Sequence, residues 1–208
     1  MPESNQHESP RTADQARLSA YATAALATAF AGHASAGIVY SGPVNAAVPG
    51  PGESIDLNGD TFPDITFSNS GPYQGAFLPY FGSNVAGFFA NGLGYASALT
   101  AGDYIDPGTL GGNPYVASLA FGATNPNAAF NNATGAFIGL RFASGSDSLA
   151  GWVRVNIDNA MGTFTVVDWA YNDEPGQAIE AGQIPEPGSL ALLAAGAAGL
   201  VARRRKTA

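Results

Sequence analysis

Between Gly37 and Ile184 the apolar positions come in short runs separated by Gly, Pro, Asn and Asp. In Phe137–Phe142, residues Ile138, Leu140 and Phe142 face one way and Phe137, Gly139 and Arg141 the other. That period of two is the signature of a strand half-buried in a sheet. The clearest unit is Gly151–Tyr171, where Val153, Val155 and Ile157 alternate with Trp152, Arg154 and Asn156. Asp158–Gly162 supplies a turn, and Thr163–Trp169 returns with high β propensity, so the pattern predicts a β-hairpin. Ile38–Tyr40 reads as an opening strand. Gly71–Asn132 reads as long loops with a few strands, near Val85–Ala90 and Val116–Phe121. No amphipathic helical period longer than two turns stands out there. The expected fold is mainly β: a single antiparallel β-sandwich-like domain over 37–183.

Two apolar stretches break this pattern, one at each end. Leu18–Ala36 is a mildly apolar run preceded by Arg11 and Arg17, and it closes on Ala34-Ser35-Ala36. Small residues at alternate positions suit the narrow pocket of a signal peptidase, so 1–36 reads as a secretory signal cleaved before Gly37. The second run, Ser189–Ala202, has fourteen residues and is followed by Arg203, Arg204, Arg205 and Lys206. As a helix it spans about 21 Å, short of the roughly 30 Å hydrocarbon core. Local bilayer thinning and snorkelling of the flanking charges cover the deficit. Four consecutive cations hold that end in the cytoplasm, which places the body on the far side of the membrane.

Ile184-Pro185-Glu186-Pro187-Gly188 stands immediately before this helix. Pro-Glu-Pro, a short apolar helix and an arginine cluster, in that order, resemble the PEP-CTERM sorting signal. The matching positions are Pro185, Glu186 and Pro187, the helix 189–202, and Arg203, Arg204 and Arg205, so 184–208 is the sorting region. The resemblance implies an exported protein of a Gram-negative, exopolysaccharide-producing bacterium. Its partners would be the secretion translocon, then an exosortase that cuts near the motif, with the membrane holding the precursor through its C-terminal helix. The mature protein would reach the cell surface or extracellular matrix. The phrases GIVYSGPVN and GWVRVNIDNAMGTFTVVDWAYNDEPGQAI also resemble a body type carried by some proteins with such tails, which implies no particular activity.

Charge sharpens the picture once the ends are set aside. Between Gly37 and Ile184 only Arg141 and Arg154 are basic, against twelve acids, a formal charge of −10. Nucleic-acid binding requires a cationic surface, so that class is excluded. The chain has no Cys, and its two His (His7, His33) and only Lys (Lys206) lie in the end segments. This removes Ser-His-Asp and Cys-His catalysis, His- or Cys-ligated metals and Schiff-base lysine chemistry from the exported domain. A carboxylate-pair glycoside hydrolase is the surviving enzymatic alternative, and the reading adopted is non-enzymatic.

One motif carries chemistry of its own. Asp56, Asn58, Asp60 and Asp64 have the spacing D-x-N-x-D-x-x-x-D, with Phe62 placed to offer a backbone carbonyl. Oxygen donors at alternate positions of a tight loop converge on a hard cation. The motif resembles the DxNGDxxPD calcium loops of FG-GAP repeats. It departs from the wider calcium-loop pattern at position 6, where Thr61 replaces Gly, and at position 12, where Phe67 replaces a bidentate Glu. A structural Ca2+ of modest affinity is one reading; an Asx-rich turn without metal is the other. Trp152 and Trp169 are expected to pack between layers; exposed, they would stack on sugar rings. Tyr73, Tyr80, Phe81, Phe88, Phe89 and Tyr95 have the same two readings, core filling or a glycan groove. Arg154 and Asp168 are placed for a cross-strand ion pair. The leading functional expectation is a structural or exopolysaccharide-associated surface protein. The alternative is a carbohydrate-binding module for neutral glycans.

Overall fold

The computed structural model describes residues 37–122 and 125–185. The signal expected over 1–36, the helix expected over 189–202 and the tail at 203–206 lie outside the described residues. Among the described residues no helix is long and apolar enough to cross a membrane.

Among the described residues fifteen strands follow Gly37. They are β1 (Ile38–Tyr40), β2 (Ala46–Ala47), β3 (Glu53–Ile55), β4 (Ile65–Ser70) and β5 (Tyr73–Phe77). Then come β6 (Asn84–Val85), β7 (Gly87–Ala90), β8 (Leu93–Ala96), β9 (Ala98–Leu99) and β10 (Tyr104–Ile105). The last five are β11 (Val116–Phe121), β12 (Thr134–Ser144), β13 (Asp147–Asp158), β14 (Thr163–Asn172) and β15 (Ile179–Glu180). A 3-10 turn, Leu110–Gly112, precedes β11.

A seven-stranded sheet runs β1-β14-β13-β12-β6, with β2 added to β14 and β9 to β12. A six-stranded sheet runs β3-β4-β5-β11-β8-β7, and β10 pairs with β15 apart from both. Every pairing is antiparallel except β8 with β11, which is parallel through Ser118 and Tyr95. The predicted hairpin is the backbone of the larger sheet. Its Asp158 faces Thr163 across a turn whose Gly162 has φ +70°.

The two sheets face each other across the main core. Ile138, Leu140, Phe142, Val153, Val155 and Ile157 come from the larger sheet, and Ile65, Phe67, Leu78 and Leu119 from the smaller. Each such burial contributes roughly 1.5–3 kcal/mol. The larger sheet is apolar on its other face as well. Phe137, Ala150, Trp152 and Ala170 alternate with the core positions and need cover of their own. Ile105, Leu110, Ile179 and Ala181 supply it as a second core. The main strands of this sheet are therefore buried on both sides, whereas the smaller sheet leaves its outer face open.

Candidate functional site

Asp56–Asp64 is the nine-residue loop of the β3–β4 hairpin, closed by the Ile55–Ile65 pair. Leu57 anchors it in the main core. Its polar side chains fold inward onto the loop's own backbone. The Asp56 Oδ1 accepts the N–H groups of Gly59 (2.7 Å) and Asp60 (3.2 Å), and its Oδ2 accepts that of Thr61 (2.7 Å). The Asn58 Oδ1 accepts the Asp60 N–H at 3.1 Å, and the Asp60 Oδ1 accepts the Phe62 N–H at 2.9 Å. Asp64 is 1% exposed and accepts the Leu57 N–H at 2.8 Å. Burial, followed by the negative charges of Asp60 and Asp56, pushes its pKa up to about 6, while the Leu57 N–H pulls the other way.

Thr61 has φ +78°. This is the left-handed backbone that a calcium loop usually gives to Gly at its sixth position, and a β-branched residue holds it with strain. As they stand, no three His, Cys, Asp or Glu side chains among the described residues form a group able to hold a metal ion. Backbone N–H groups engage both oxygens of Asp56, and Asp60 is exposed.

The two tryptophans divide. Trp152 is 1% exposed, sits edge-on to Phe137 at 5.2 Å and donates its Nε1–H to the Gln183 carbonyl at 3.1 Å. It presents no face to a sugar, and the stacking role considered for it is corrected: the second core covers the ring. Trp169 is half-buried against the main core. Exposed rings lie elsewhere. On the outer face of the smaller sheet, Thr66, Phe77 and Val116 form one row. Ser68, Gly75 and Ser118 form the next, and Ser70, Tyr73 and Phe121 a third. No Asp, Glu, Lys or Arg stands in these rows. Tyr73 lies over Gly75, where a Cβ would meet the tyrosine hydroxyl at 2.5 Å, and Phe121 packs edge-on to its ring. Phe88 stacks on Tyr95 at 5.8 Å. The Val116–Phe121 strand and Tyr73 were expected from the sequence, whereas loop composition hid β5 and with it Phe77.

A groove of about 460 Å³ continues from this face along the segment between β5 and β6. Phe77, Tyr80, Phe81 and Tyr115 are its aromatic walls. Phe62 of the acidic loop meets Tyr80 edge-on at 6.2 Å, so loop and groove are neighbours.

The model of the PEP-CTERM protein-sorting motif matches residues 183–206. The chain thus carries the sorting motif of exosortase substrates, which marks it as an exported protein. The motif implies a membrane-anchored precursor on its way to the surface, with exosortase as the processing partner. No curated protein and no solved structure gives a significant match.

Proposed function

We propose that the acidic β-domain is a non-enzymatic surface or matrix module that associates with exopolysaccharide after exosortase delivers it. Supporting this reading is the spacing of Asp56, Asn58, Asp60 and Asp64 along one loop, whose carboxylates have no basic side chain within ion-pair distance among the described residues. The ion pair present among the described residues, Arg154 with Asp168, lies elsewhere. Calcium held by Asp56, Asn58, Asp60, Asp64 and the Phe62 carbonyl would offset the repulsion among these charges. It would also bridge a domain of charge −10 to the acidic groups of a polysaccharide. Carboxylates are missing from the groove walls among the described residues, which favours binding over hydrolysis by a carboxylate pair.

Co-sedimentation of the full chain with its native exopolysaccharide tests this directly. Binding that falls in chelator and returns with calcium supports the bridge. Binding unchanged by chelator contradicts it.

The open face of the smaller sheet favours a second reading, a neutral-glycan surface. Rings flanked by hydroxyls and free of charge suit the apolar faces and hydroxyls of uncharged sugars. That reading predicts binding lost on Phe121→Ala while folding is retained.

A further inference from the structure

We propose that the groove beside β6 binds a carboxylate-bearing sugar residue directly, with Arg141 as its anion contact. Only two cations serve the described domain, and Arg154 is already paired with Asp168. Arg141 is half-buried, and no carboxylate lies within 4.0 Å of it among the described residues. Its Nε donates to the Ser148 hydroxyl and its Nη1 to the Pro107 carbonyl, each at 3.2 Å. Both partners are neutral, so the charge is left unmatched. Nη2 donates to no protein acceptor among the described residues.

The guanidinium lies behind two residues of the groove wall, Gly82 and Gly111. Nη2 is 3.7 Å from where a Cβ would stand on Gly82, and Nη1 is 3.4 Å from that point on Gly111. Both are ordinary contact distances, so the half-buried guanidinium borders the groove across two residues that carry no side chain. Asn84, 8% exposed on the same wall, donates Nδ2 to the Asn113 carbonyl at 2.6 Å. Its Oδ1 accepts no hydrogen bond among the described residues and is free for a hydroxyl. Phe81 stands fully exposed at 105%, and Tyr115 is 58% exposed. A cation, a hydroxyl acceptor and open rings together match a uronic-acid residue: carboxylate on the guanidinium, hydroxyl on the amide, ring on the aromatics. A neutral sugar would leave the guanidinium unpaired.

This contact needs no metal, so its failure is separable from that of the calcium bridge. The experiment is calorimetric titration of the full chain, in mild detergent with chelator present, with short oligogalacturonates and their methyl esters. The acid form is expected to bind. Methyl esterification or Arg141→Gln is expected to weaken binding by at least about tenfold, the range of a lost charge-assisted hydrogen bond. Phe81→Ala, at an exposed position, is expected to weaken binding with the unfolding temperature unchanged. Equal binding of acid and ester would overturn the proposal. So would wild-type affinity in either folded variant, or binding that appears only with calcium.

Discussion

Arg154 and Asp168 face each other directly across the β13–β14 ladder and form a two-pronged ion pair. The carboxylate is 1% exposed and also accepts the Tyr40 hydroxyl at 2.8 Å, from a strand 128 residues away in sequence. The guanidinium rests 5.8 Å from the Phe137 ring centre. Arg154→Ala strands a buried carboxylate and is expected to cost about 3 kcal/mol. Replacing both partners with apolar residues of similar size should cost less. Urea unfolding of the two variants checks the order.

The same carboxylate sets a pH dependence. Its hydrogen bond, followed by burial, raises the Tyr40 pKa above 10.0. A group whose folded pKa exceeds its unfolded value stabilises the fold below the unfolded pKa. That contribution is lost as pH rises through the folded pKa. Stability should therefore fall in alkali above about pH 10, and Tyr40→Phe should flatten the fall. Unfolding midpoints against pH, with tyrosinate absorbance followed in parallel, measure this.

Thr61→Gly should relieve the left-handed strain in the acidic loop and stabilise the domain by about 1 kcal/mol. If calcium binds there, the same change should raise its affinity, since the sixth position then has the residue this turn favours. Thermal unfolding with calcium and with chelator reads both effects. A ligand that binds only the folded chain must raise the midpoint. Asp60→Asn should abolish the rise.

Trp152→Ala should cost about 3–5 kcal/mol because the ring is sealed in the second core. Phe81→Ala should change stability by less than about 0.5 kcal/mol. Chemical denaturation separates the two. A small effect at Trp152 would contradict the covered face.

The long strands were legible because period-two alternation survives in them: the hairpin, the Phe137–Phe142 strand and β1 all stand where the pattern puts them. The pairing of β4 with β5 was not, because Gly71, Gly75 and their neighbours carry the composition of loops. The parallel contact of β8 with β11 joins strands separated in sequence and leaves no local signal. Trp152 alternates with the main-core positions and was expected to pack between layers, but the elements that cover its face left no local signal. Ile105, Leu110 and the return of Ile179–Gln183 over that face bury it. The acidic loop was visible in its spacing, as was Thr61 in place of Gly, but the positive φ that strains Thr61 was not. The Arg141 groove was not, since it depends on two glycines from separate segments flanking one guanidinium.

The most direct test of the central claim is to fractionate cells producing the wild-type chain and a variant with Pro185, Glu186 and Pro187 all changed to Ala, with the mass of each product determined. Surface protein that has lost its C-terminal region is expected in the wild type, and an uncut precursor held in the membrane fraction in the variant. Surface protein that keeps Arg203–Arg205, or a variant distributed and cut like the wild type, would contradict it.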